Sequence, residues 1–148
     1  MSNQVPAWQG PILDNHFHLN RNGRYLDAAH DFKRAGGTNI VLIHCPDFAS
    51  PPTTKEGHRA AYQNTIAMAE SVRTELDLHV RVVLGPHPAA FAHQFIAWVE
   101  QDGAKGKNRA IENYRDSIDE AVKFYHEGKA HAIGEVGRPH WKVSQEIW

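Results

Sequence analysis

The chain has 148 residues, 41% of them hydrophobic and 22% charged, with a formal net charge of -1. That is enough for one domain with a real core; it excludes a disordered chain, and it excludes a global field that would draw the protein to nucleic acid or anionic lipid. The single cysteine, Cys45, excludes an internal disulfide and fits a reducing compartment. The start "MSNQVPAWQG" lacks the basic and apolar segments of a signal peptide, and no run has the length of a membrane helix. A cytoplasmic protein with no membrane partner is expected.

The first predicted strand covers 12–16, inside "GPILDNHFHLNRNG". In "RYLDAAHDFKRAGG" apolar residues recur at Tyr25, Leu26, Ala28, Ala29, Phe32 and Ala35, a helical period that Gly36 and Gly37 stop. The second strand, 39–44, is "NIVLIH", continuously apolar, as suits a strand covered on both faces. A helix follows, with Tyr62, Ile66, Ala69, Val72 and Leu76 on one side. The third strand, 80–84, runs into "GPHP". After it come a helical "AAFAHQFIAWVE", a polar loop at 102–109, and a second helix whose Tyr114, Ile118, Ala121, Val122 and Tyr125 share a face. The fourth strand, 131–135, ends in "IGEVG". "VSQEIW" reads as the first turn of another helix, with Ser144 as N-cap.

Strands alternating with helices imply a parallel sheet. Two α/β folds compete, an open doubly wound sheet and a piece of a barrel. No Gly-x-Gly-x-x-Gly follows any strand, so dinucleotide binding has no support. A complete barrel needs eight βα units and roughly 250 residues. The expectation is one domain over 1–148, made of four βα units that form the first half of a (β/α)8 TIM-type barrel.

In either fold, function gathers where the strands end. The first strand ends at His16 and His18, the second at His44, the third beside His87 and the fourth at Glu135. With 11 histidines, a shuffled chain would contain an H-x-H about once, so the pair alone proves little. Its position carries the case. Residues i and i+2 of a strand point the same way, about 6.5 Å apart, and two such imidazoles can share a divalent ion. A carboxylate from another strand end can join them and bridge to a second ion. Such a site lowers the pKa of a bound water. Glu135, between Gly134 and Gly137 after a buried strand, is poorly placed to be merely a solvated charge.

Together, "ILDNHFHL", "VVLGPHP" and "AIGEVG" resemble the TatD family of metal-dependent hydrolases, amidohydrolase-type barrels, and "GEVGRPHW" looks like an archaeal-type branch. The resemblance implies that His16 and His18 are metal ligands and that Glu135 is a ligand and catalytic residue bridging two divalent ions (Zn, Mn or Mg). It places His87 near the site without ligating. It implies hydrolysis of phosphoester bonds, often in DNA, by metal-activated water, so the partner is a small-molecule or nucleic-acid phosphoester. Where the family commonly has Gly-Leu-Asp, this chain has Gly137-Arg138-Pro139. The family draws two further histidines and an aspartate from later strands, so the site of this chain is expected to be incomplete.

Other readings stay beside these. Arg138 can meet a phosphate oxygen or be an exposed loop arginine. His87, Arg138 and His44 are the residues expected to touch substrate or support the ligands. His44 next to Cys45 invites a thiol–imidazole pair, but adjacent strand residues face opposite ways. Lys105, Lys107 and Arg109 read as a solvated loop. Half a barrel leaves open sheet edges and an uncovered face, which invite self-association. The alternatives to phosphoester chemistry are a truncated, non-catalytic metal-binding or assembly module, and an amide or lactone hydrolase of the same superfamily.

Overall fold

β-branched runs pair and amphipathic runs coil over them. The computed structural model describes residues 8–138 and 142. In chain order its elements are β1 (Leu13–Phe17), α1 (Leu26–Arg34), β2 (Asn39–Ile43), α2 (Lys55–Leu76), β3 (His79–Leu84), α3 (Pro88–Asp102), α4 (Ala104–His126) and β4 (Ala132–Ile133). The strands form one parallel sheet in the order β1-β2-β3-β4. α2 is started by Thr54, whose hydroxyl accepts the Gly57 N–H, and stopped at Asp77 in the left-handed conformation. The chain segment "VSQEIW", with Ser144, and Pro139 lie outside the described residues.

The order has no reversal, so it is not the pattern of a doubly wound sheet. Side chains decide which face the helices cover. Ile40 and Leu42 of β2 and Val80, Val82 and Leu84 of β3 join one buried cluster with Ala29, Tyr62, Val72, Leu76 and Phe124 from the helices. The alternate positions face the other way. Leu13 is 57% exposed there, and His79, Arg81 and Ala132 are exposed too. Among the described residues, then, "NIVLIH" is fully covered on one face and partly on the other, contrary to the expectation of two covered faces: Ile40 and Leu42 vanish into the core, Asn39 and Val41 stay half-buried, and of the alternate positions Ile43, at the end of the strand, is buried. No helix among the described residues is long and apolar enough to cross a membrane.

The polar loop expected at 102–109 is helical. Only Gly103, at φ 56, breaks the chain between α3 and α4. Gly106, inside that stretch, serves the packing: a Cβ there would lie 1.8 Å from the Trp98 carbonyl oxygen, so glycine lets the two helices cross at close range. Arg109 spreads over the Trp98 ring at 3.8 Å and completes that contact. Polar residues that favour helices, set on an exposed face, had looked like a loop.

His44 continues the alternation of Ile40 and Leu42 and points into the helix layer. It is buried, with Nδ1 2.8 Å from Thr65 Oγ1 and its ring edge-on to Tyr62. Burial pushes this imidazole down to about 4. The unfolded chain therefore binds a proton near pH 6.5 that the fold refuses. The stability tied to neutral His44 is complete above about pH 6.5, is lost as pH falls toward 4, and loses no more below that. The loss amounts to about 3 kcal/mol at most. Burial lowers His58, its neighbour across Tyr62, in the same sense. Thermal melts between pH 7 and 4 should show a falling melting temperature, with a shallower fall in His44→Asn; equal slopes in the two proteins would refute neutral burial.

Candidate metal centre

β1 carries the decisive irregularity. Its register with β2 slips between Asp14 and Phe17, so three steps on β1 match two on β2, from Ile40 to Leu42. This is a β-bulge. The Asp14 carboxylate accepts the His16 N–H at 2.9 Å and takes over the ladder partner that the bulge removes. Phe17 packs on the core, and His16 and His18 stand at the rim with their rings 4.8 Å apart and nearly perpendicular.

Glu135 reaches the same place from beyond β4. The end of β3 and the end of β4 meet through two glycines. A Cβ on Gly85 would sit 2.8 Å from the carbonyl carbon and oxygen of Gly134, so only glycine lets the two backbones lie this close. Glu135 Oε1 then lies 2.8 Å from His16 Nε2 and 3.7 Å from His18 Nε2. Its Oε2 lies 3.4 Å from His87 Nε2. The side chains of His16, His18, Glu135 and His87 are 53%, 36%, 26% and 21% exposed, a group open to solvent but backed by protein.

The hydrogen bonds fix which nitrogens carry protons. His18 Nδ1 lies 3.1 Å from the Ile43 carbonyl, which can only accept, so Nδ1 bears the hydrogen. In the neutral ring, Nε2 then offers a lone pair to the Glu135 carboxylate, itself an acceptor. Two such acceptors can share a metal ion between them, as they can share a proton on Nε2. His87 shows the opposite arrangement. Its Nδ1 accepts the Ala89 N–H at the start of α3, leaving Nε2–H to face Glu135 Oε2. Burial lowers the His87 imidazole against the raising pull of Glu135.

The donor set fits a metal. The ligand atoms of His16, His18 and Glu135 all lie within 4.8 Å of one another. Two donors on one tetrahedral ion at about 2.1 Å each lie about 3.4 Å apart, so side-chain rotations that close the widest pair by about 1–1.5 Å complete the site. Exposed imidazoles make that turn without disturbing the core.

Residues 13–148 match the family described as TatD related DNase. The chain belongs to the TatD family. The family is one of metal-dependent hydrolases, DNases among them. A curated relative, uncharacterized protein MJ1127 of Methanocaldococcus jannaschii, is 26% identical over 141 residues, which is 93% of this chain and 46% of the relative. The chain thus spans about half the length of the curated relative it matches. No solved structure matches it.

Of the residues singled out in this TatD-family sequence, His16, His18, His87 and Glu135 come together, and His44 does not, because it sits on the helix side of β2. Arg138 is exposed, three residues past Glu135. Cys45 is half-buried, and burial, with the charge of Glu135, pushes its thiol up, which disfavours a nucleophilic thiolate. Lys105, Lys107 and Arg109 belong to α4. Sequence reasoning missed Asp14, although it stands in "LDNHFH" two residues before the first histidine, and it missed the pairing of Gly85 with Gly134, which nothing local announces. Gly85→Ala should lower the melting temperature by roughly 5–10 °C through overpacking. Gly23→Ala, whose Cβ would meet nothing closer than 3.6 Å, should change it little. Equal melting of the two variants would show that the strand ends are not in tight contact.

Proposed function

We propose that His16, His18 and Glu135 hold a divalent metal and that this centre serves hydrolysis of phosphoester bonds, DNA among them. The observation that supports it most is the convergence of three donors from opposite edges of the sheet, the ligand atoms of His16, His18 and Glu135 all lying within 4.8 Å of one another. When bound, a divalent ion such as Zn, Mn or Mg polarises a water and supplies hydroxide near neutral pH. The Ile43 carbonyl orients His18 for this task, as partners of ligating histidines do. Glu135 presents its two oxygens to different neighbours, Oε1 to His16 and His18 and Oε2 to His87, which suits a carboxylate that bridges two ions. His87 Nε2 stands 3.4 Å from Oε2, on the side of the carboxylate away from His16 and His18. In this reading Arg138, exposed three residues after Glu135, meets a phosphate oxygen.

The fold we infer around this centre is the first half of a (β/α)8 barrel. Support comes from four parallel strands in sequential order, helices on one face only among the described residues, and the candidate ligands at the strand ends. A parallel sheet is normally covered on both faces. The bare face with Leu13 and Val41 favours a second reading, in which the 148 residues bind metal and act in an assembly, with turnover requiring further units.

Dialysed protein should retain divalent metal by mass spectrometry, and a His16→Ala/His18→Ala double variant should lose it; equal metal content in both would end the proposal. With added Mn²⁺ or Zn²⁺, cleavage of a generic phosphodiester should fall on the order of 10²–10⁴-fold in Glu135→Gln. Metal retained without turnover in either ion selects the assembly reading. Sedimentation should find the chain self-associated through its bare face, and Val41→Lys should shift it to monomer. A wild-type monomer that melts cooperatively would count against half a barrel.

A further inference from the structure

Phe48 is a large apolar side chain left 53% exposed beside the candidate metal centre. The turn that carries it is well held. Asp47 accepts the Ala49 N–H at 2.9 Å through its carboxylate and the Ser50 N–H at 3.3 Å through its carbonyl. The Phe48 ring stands edge-on to His87, centroids 5.1 Å apart at 82°. His87 in turn faces Glu135. Phe48 is therefore one side chain away from the carboxylate, with much of its surface in water.

From Phe48 a groove of about 400 Å³ runs between the β1–α1 connection and α2, past Leu19, Asn20, Arg21 and Asn64. Arg21 is held on two sides. Its Nε donates to Asn64 Oδ1 at 2.5 Å, and its guanidinium lies 5.2 Å from the Tyr25 ring centroid. An arginine positioned this way loses little further freedom on meeting an anion. The acid in the groove lining, Asp47, is turned to its own loop. The groove pairs apolar lining, Phe48 and Met68, with a restrained cation and asparagines. It suits a flat ring joined to a phosphate.

Resting on the metal-centre reading above, we propose that Phe48 and Arg21 form a nucleotide subsite beside that centre. Phe48 stacks on a base, and Arg21 pairs with the phosphate attached to it. Stacking on an aromatic side chain tolerates any base, so the subsite selects for a base and not for its identity. The same chemistry is offered by a free mononucleotide and by a single strand.

Calorimetric titration of the full chain, in EDTA and again with Mn²⁺, tests this with three probes: thymidine 5′-monophosphate, tetrathymidylate and glycerol 3-phosphate. Both thymidine probes should bind on the order of 10-fold tighter than glycerol 3-phosphate. Phe48→Ala should remove that margin and leave glycerol 3-phosphate unchanged, Phe48→Trp should keep it, and Arg21→Gln should weaken all three. Tighter binding of tetrathymidylate marks a strand as the natural occupant; tighter binding of the monophosphate marks a free nucleotide. No margin in the wild type, or a margin that survives Phe48→Ala, overturns the subsite. Metal content measured alongside separates the two readings: a lost metal with the margin intact refutes the metal centre alone, and a retained metal without the margin refutes the subsite alone.

Discussion

The contact between Gly85 and Gly134 governs the rim of the sheet. A side chain on Gly85 would strike the Gly134 backbone, and the space left by its absence is what lets the end of β4 close on the end of β3. Glu135 follows Gly134 directly and is thereby carried to the imidazoles of β1 and to His87 after β3. The carboxylate comes from one edge of the sheet and His16 and His18 from the other. They meet only because the sheet curls between them.

That curl has the same origin as the bare face. Each helix returns the chain to the next parallel strand on one side, so the apolar positions of β2 and β3 are buried there, under Tyr62, Val72 and Phe124. The hydrophobic effect rewards covering that side and, among the described residues, leaves the other with exposed His79 and Arg81. The proposed metal donors sit where the strands end. The candidate ligands thus stand at the ends of the strands whose alternate side chains, among the described residues, no helix covers.

Much of the arrangement could be read in advance. The β-branched runs in "NIVLIH" and "HVRVVLG" and the helical periods around Tyr62 and Ala121 matched elements of the right type, because burial on one face imposes a period that short-range inspection detects. The H-x-H at a strand end pointed to the cluster for a similar reason. The errors were equally physical. The polar stretch at 102–109 reads as a loop, yet it is helical, and its Gly106 sits at a close helix crossing, which a glycine in a turn resembles in sequence. His44 looked like a rim residue because its strand ends there, but the alternation of Ile40 and Leu42 carries it to the helix side.

What the sequence determined by itself was the order of elements, the family and the residue types able to bind a divalent ion, since each depends on local pattern or on motifs a few residues long. Only the tertiary structure decided which of those residues meet. The bulge at Asp14 turns His16 toward the rim, the hydrogen bond to Ile43 sets the tautomer of His18, and the Gly85–Gly134 contact delivers Glu135. Each of these joins positions far apart in the chain or alters a strand's register, and such relations exist only once the strands lie side by side.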